Sequence, residues 1–315
     1  MQNDTHDETG GRGYHPLLRE DVDTKLLNVI TAVLELFPNL PVSVSRILSM
    51  IHDPKTSSRE ISDIASSDPV LVSTILKKVN SSFYNPERKI DNLNLAVVIL
   101  GFNEVKHIAL QCGLVKTLRA EDNPEINTRD LWVHSYAVSV TSEAMVHEHG
   151  HRRSGTLMTV GMLHDIGKFA LYSIGVHAKR LGLKARGAFT PGERLTLLEK
   201  EERIFGVNHA IVGGMLARKW NLSDRIASVL EMHHLPGFFE ADTIPLEFRE
   251  DVAVTCVADY IVNTALGSTV PQEPLEWCLS SAGVPSIEGA LTLLGALLWM
   301  TEGVGKAEDD RHASR

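Results

Sequence analysis

Across 315 residues, apolar side chains recur three and four positions apart, and no segment sustains the every-second-residue alternation of a half-buried strand. That pattern predicts an all-α fold. Helix signals punctuate it. Lys25 to Leu36 reads as a helix stopped by Phe37-Pro38-Asn39-Leu40-Pro41. A second helix runs from Val42 to Ile51. Ser57 and Glu60 have the spacing of a capping box, and Ser67 ahead of Asp68-Pro69 reads as the next N-cap. Leu93 to Leu100 stops at Gly101, Asn103 caps a helix through Leu118, and Thr128 caps a long one through about His147. Thr190 and Glu193 form a second capping box, opening a charged helix that ends near Gly206. His209–Trp220 and Ser223–His233 follow. Asp251 to Ala265 is rich in Val and Thr and fits a strand by composition, but its length and its Ala-Asp-Tyr stretch favour helix.

The resulting domain reading is a disordered 1–20, an N-terminal helical half over 21–122, and a second helical half over 123–270. A helical extension (271–305) and a polar tail (306–315) complete it. The most apolar late segment, Ile287 to Met300, is shorter than the roughly 18–20 residues a membrane span needs, and reads as a core helix.

Hydrophobic residues make up 43% of the chain, enough for a large core, while the formal net charge of −9 argues against a general nucleic-acid or anionic-membrane binder. The start of the chain is polar and acidic, without a signal-peptide pattern. Cys112, Cys256 and Cys278 are odd in number, widely spaced and lack a CxxC, so they read as reduced thiols in a cytoplasmic protein.

The chemistry gathers around Gly161-Met162-Leu163-His164-Asp165-Ile166-Gly167-Lys168-Phe169. An imidazole next to a carboxylate in an apolar segment is unfavourable unless compensated, and a metal ion compensates both. Lys168 follows His164 by four residues, which on a helix places a cation on the same face. Further His and Asp residues lie in apolar helical context: His134, His209, His233, His234 and Asp259. Five imidazoles and two carboxylates exceed what one tetrahedral ion needs. They suit two divalent ions, with Asp165 as the natural bridge; iron, manganese, zinc, cobalt and nickel all accept this donor set. Each residue has a plainer alternative. A lone buried His is commonly a hydrogen-bonded core residue, His233-His234 suits a helix C-terminus, and Lys168 suits a surface stem.

The order His, His-Asp, His, His-His, Asp resembles the HD superfamily of metal-dependent phosphohydrolases, and Gly-Met-Leu-His-Asp-Ile-Gly-Lys is close to that superfamily's central motif. The front half narrows the resemblance to the HDOD family, the HD-related output domain of bacterial signalling proteins. The carriers are Leu36-Phe37-Pro38-Asn39-Leu40-Pro41, Asn80-Ser81-Ser82-Phe83-Tyr84, Ile90 and Ala96-Val97-Val98-Ile99-Leu100-Gly101. In the second half they are Phe205-Gly206 with His209 and Trp220, then His233-His234-Leu235-Pro236, so that the resemblance covers about residues 25–265.

The resemblance implies an all-α protein with an N-terminal helical subdomain packed on an HD-like bundle, in which the seven side chains converge. Many HDOD members look degenerate at the ligands; this chain retains every ligand-type position. Asp130, one turn before His134, matches an acidic residue that helps hold an additional metal in GYP-type phosphodiesterases, and otherwise reads as a first-turn acid. The signature of that group is absent, since His233-His234 is followed by Leu-Pro-Gly-Phe-Phe. Two functions follow. The first is a cytoplasmic signalling regulator with a retained metal site, acting on a partner protein or a small phosphorylated ligand, with no membrane or nucleic-acid partner. The second is an active phosphohydrolase acting on nucleotides or cyclic nucleotides, with Asp165 bridging two ions and Lys168 holding phosphate. The sequence assigns no oligomeric state.

Overall fold

The computed structural model describes residues 14–50, 53, 55–84, 86, 88–118, 128–148, 154–172, 196–267 and 274–283. Several expectations fall outside them: disorder over 1–13, a linker at 121–124, a break at 152–153 and the Thr190 box. The apolar segment 287–300 and the tail 306–315 do so as well. Among the described residues the protein is all-α and contains no strand. The helices are α1 (Thr24–Glu35), α2 (Val42–Met50), α3 (Ser58–Ala65), α4 (Pro69–Val79), α5 (Leu93–Leu118), α6 (Thr128–Glu148) and α7 (Ser154–Leu163). They continue with α8 (described over 166–172), α9 (Leu197–Phe205), α10 (His209–Lys219), α11 (Asp224–Met232), α12 (Leu246–Ala265) and α13 (Glu276–Ser281).

The helices group into two compact units. One comprises Glu35–Pro124 with Arg218–Leu222; the other comprises Met1–Leu34, Glu125–Ala217 and Ser223–Arg315. Residues up to Leu34 thus group with the His-Asp part of the chain, and the described end of the segment expected to be disordered is tied down there. Tyr14 Oη and the Leu17 N–H donate to Glu202 at 2.8 Å each, and Arg19 pairs with Glu231 at 2.8 Å.

In the Glu35–Pro124 unit, α2, α3 and α4 pack on α5 around Ile47, Ile61, Leu71, Ile75, Val97, Val105 and Ala109, all buried. The Ser57–Glu60 capping box forms as expected. The cap of α4 is Asp68, not Ser67: the Asp68 carboxylate accepts from the N–H groups of Val70 and Leu71, while the Ser67 hydroxyl turns back to the Ile64 carbonyl. The carboxylate reaches two free N–H groups of the first turn from where it stands, which leaves Ser67 no helix end to cap. Gly101 is a sharp kink inside one continuous run. Its φ of 76° and ψ of 164° leave the helical region, and a Cβ there would meet nothing within 4 Å, so conformation alone calls for glycine. Asn80 fastens the loop after α4, its Nδ2 donating to the Leu76 and Ile90 carbonyls and its Oδ1 accepting from the Ile90 N–H. Among the described residues α5 alone is long and apolar enough to cross a membrane, and half of that stretch is buried within the protein.

In the other unit, α6 lies along α7 and α12, and α11 packs on both α7 and α12. Its core includes Val138, Val146, Leu157, Val254, Val257, Ile261 and Val262, with Cys256 and Cys278 as buried free thiols. The segment with strand-like composition is helical and starts early, at Leu246. Thr196 opens α9, its side chain accepting from the Glu199 N–H, and Gly206 in the left-handed region closes it.

Candidate metal centre

His164 and Asp165 do not lie inside a helix. They form the turn between α7 and α8, which lets the two side chains point the same way although they are adjacent in sequence. The turn is seated by Gly167, whose Cβ position would fall 1.8 Å from the His209 carbonyl and 2.6 Å from the Gly213 nitrogen. Only glycine permits this approach, and it brings the start of α10 against the turn. His209 is the first residue of α10, and Asn208 caps the helix by accepting from the Ile211 N–H. His233 and His234 follow the last turn of α11, His134 lies in α6 and Asp259 in α12.

All seven side chains meet, in two groups whose donor atoms lie within 4.8 Å of one another: Asp165, His209, His233 and His234; and His134, His164 and Asp259. In the second group His134 Nε2 is 3.1 Å from His164 Nε2 and 2.9 Å from Asp259 Oδ1, and His164 Nε2 is 3.4 Å from the same oxygen. In the first, His209 Nε2 is 3.0 Å from His234 Nε2 and 3.2 Å from Asp165 Oδ1. Asp165 serves both groups, because its Oδ2 faces His164 Nε2 at 3.4 Å and His134 Nε2 at 3.6 Å. Donor atoms sharing an ion at about 2.1 Å stand about 2.9–3.4 Å apart, so these spacings fit coordination.

The tautomers fit as well. A carbonyl or carboxylate cannot donate, so the ring nitrogen facing one carries the proton. His164 Nδ1–H therefore donates to the Gly161 carbonyl at 2.8 Å, His233 Nδ1–H to the Leu230 carbonyl at 2.7 Å and His209 Nδ1–H to Glu201 at 2.7 Å. In the neutral rings each Nε2 then carries a lone pair, and those of His164 and His209 face other donors. His233 Nε2 and Asp165 Oδ1 are buried without any hydrogen bond; the 3.2 Å approach of His209 to that oxygen lacks hydrogen-bond alignment. Buried groups normally find partners, and orphans aimed at a shared point are what a cation satisfies.

Burial lowers the His164 pKa, but the neighbouring Asp165 and Asp259 outweigh it and push the imidazole up to about 10. Burial raises the Asp165 pKa, yet His164 and Lys168 hold the carboxyl well below the usual range. His233 is driven down to about 3 by burial and by His164 and His209, so its ring stays neutral.

Lys168 Nζ donates to Asp165 Oδ2 at 2.5 Å, at the edge of the cluster. Asp130 is exposed in the first turn of α6 and belongs to neither group. Glu201 joins the site without being among the residues expected from sequence: it is 2% exposed and accepts from both His209 Nδ1–H and the His209 backbone N–H, the latter at 2.8 Å. Its run, Glu199-Lys200-Glu201-Glu202-Arg203, reads as a solvated helix face. The only sequence signal was Glu201's place four residues before the Phe205-Gly206 helix stop and eight before His209.

Similarity to known proteins agrees with this architecture. A relative from Treponema pallidum (strain Nichols), itself uncharacterised, is 23% identical over 82% of the chain; the chain spans about half of that protein, 48%. An HDOD domain protein of unknown function from Geobacter sulfurreducens superposes with a TM-score of 0.62 at 20% identity, covering 89% of this chain and 97% of its own. A phosphohydrolase candidate from Shewanella amazonensis SB2B gives 0.60 at 17% identity, covering 85% and 93%. A candidate signal transduction protein from Marinobacter aquaeolei VT8 gives 0.69 at 16% identity, covering 90% and 64%. At these identities the structures share a fold, and the family profile of the HDOD domain matches residues 37–236, well over half the sequence. With the His-Asp turn, the paired histidines and the kinked α5 all falling within that span, the chain belongs to the HDOD family.

Proposed function

We propose that this chain is a bacterial, cytoplasmic signalling protein whose His/Asp cluster holds two divalent cations, and that occupancy of this centre governs binding of a partner protein or a small phosphorylated ligand. The observation that carries the metal reading is the pair of buried orphans, His233 Nε2 and Asp165 Oδ1, aimed into a set of donors at coordination spacing. Asp165, His209, His233 and His234 would hold one ion and His134, His164 and Asp259 the other, with Asp165 shared. The signalling reading is supported by membership of the HDOD family and by the fold shared with the Marinobacter protein.

A second reading, hydrolysis of a phosphodiester or nucleotide, draws on Lys168. Its ammonium sits on the shared carboxylate, where it would face a phosphoryl group bound at the cluster. Paired divalent ions supply an activated water and a clamp on phosphoryl oxygens. The chain's own part would be to hold Asp165 ionised, keep the His233 ring neutral and offer Lys168 to the anion.

Metal analysis of the purified protein, followed by a panel of phosphodiesters and nucleotides, separates the two. Wild type is expected to carry two equivalents, His164→Ala and Asp165→Ala one or none, and none of the three to turn over. Metal-free wild type under saturating conditions would defeat the metal reading. Turnover abolished by either substitution would replace the regulator with the hydrolase.

A further inference from the structure

Glu201 is a buried acid outside both ligand groups, yet one of its oxygens takes two hydrogen bonds from a single residue, the backbone N–H and the ring Nδ1–H of His209. The next residue reinforces this geometry. Glu202 Oε1 accepts from Asn208 Nδ2 at 2.7 Å and from the Leu17 N–H at 2.8 Å, and Asn208 caps α10. Two consecutive glutamates in the middle of α9 thus clamp two consecutive residues at the start of α10. His164 and His233 use neutral backbone carbonyls for the same Nδ1 contact. His209 alone of these three leans on a carboxylate, which fixes its tautomer and makes Nε2 more electron-rich.

Resting on the metal reading above, we infer that Glu201 is a positioning residue for His209, and that it sets the affinity of the ion held by Asp165, His209, His233 and His234 without setting that of the ion held by His134, His164 and Asp259. The full chain, stripped and titrated with cobalt(II) while its visible absorption is followed, gives the two affinities. Glu201→Gln, which matches the shape but not the charge, is expected to weaken one equivalent by roughly 10–100-fold and leave the other unchanged. Glu201→Asp, which keeps the carboxylate, is expected to fall between Gln and wild type. Equal weakening of both equivalents, or of neither, overturns the inference, as does Glu201→Asp weakening as much as Glu201→Gln.

A second measurement needs no metal. The Nδ1–H···carboxylate proton of His209 is expected far downfield in the NMR spectrum of the metal-free protein and shifted upfield in Glu201→Gln; an unmoved proton overturns the positioning role. If wild type took up no cobalt the two-ion reading would fall, while this proton would still decide what Glu201 does.

Discussion

The two units each bury an aspartate, and the contrast between them separates an acid whose oxygens are all satisfied from one that keeps an oxygen unsatisfied. Asp68 in the Glu35–Pro124 unit is satisfied from within. It accepts from two backbone N–H groups at the start of α4 and from Lys116 Nζ at 2.6 and 2.7 Å, with the Ser43 hydroxyl at 3.5 Å. Asp165 in the other unit is ionised by its neighbours, but its Oδ1 has no hydrogen bond, and it faces imidazole nitrogens from three segments of chain. Asp68 closes a helix end, and nothing further is required of it. Asp165 leaves one buried oxygen without a hydrogen bond, beside the nitrogens of neighbouring imidazoles. A buried carboxylate is therefore informative only after its donors have been counted.

The largest expected effect tests how rigidly that second arrangement is held. Gly167→Ala would drive a methyl group into the His209 carbonyl, against backbone that cannot rotate away. Overpacking of this kind costs about 1–3 kcal/mol and at times more, and with backbone as the obstacle we expect at least the upper end, together with loss of metal. Denaturant midpoints and metal content measure both. A Gly167→Ala protein with wild-type midpoint and metal would show that the α8–α10 approach is not what seats the turn.

Next comes the comparison of the two aspartates. At a free metal concentration about 100 times Kd, each bound ion adds about 2.7 kcal/mol to wild-type stability, or about 5–11 °C in Tm at about 2–4 °C per kcal/mol. Asp165→Asn is expected to abolish this increment, and Asp68→Asn to leave it whole. Acid shows the opposite dependence. Burial would raise the Asp68 pKa, but Lys116 and the two backbone N–H groups lower it below its ordinary 3.8. Its stabilisation is therefore complete above that value and lost as pH falls through the lower folded value. Asp68→Asn should remove this acid-labile part, about 1 kcal/mol because Lys116 is partly exposed, leaving a flatter melting profile below pH about 4. Equal metal responses in the two variants would erase the distinction drawn between the units.

Much of this was legible in the sequence, and the exceptions have a common cause. The all-α class and the Ser57–Glu60 box follow from periodicity and capping, which act within a few residues, and ligand chemistry marks His164-Asp165, while the gathering of the other donors around it is implied only by the HDOD resemblance. The cap of α4 went to the neighbour of the residue expected, because Asp68 is anchored by Lys116, 48 positions away, and local preference cannot register that. The turn at His164-Asp165 reads as helix because its composition is apolar, and what bends it is contact between Gly167 and α10. Glu201 was invisible for the same reason: nothing in a charged run marks which acid is turned inward. Local chemistry marks the His and Asp side chains that gather in the cluster; tertiary contact chooses the ones that hold those side chains.

The smallest expected effect concerns the edge of the cluster. Asp130 shares a helix face with His134 and is exposed at the first turn of α6. If it were a ligand, Asp130→Asn would lower metal content or affinity by a measurable factor. If it acts only on the helix end, the loss is about 0.3–1 kcal/mol of stability, screened by salt, with metal content untouched. We expect the second result, because each carboxylate that does enter the donor set is buried at a helix crossing or turn, as Asp259 and Asp165 are. An exposed acid keeps its own water, and an ion would have to displace that water to gain one oxygen. A salt-dependent change in Tm with unchanged cobalt stoichiometry would fix the boundary of the centre at His134.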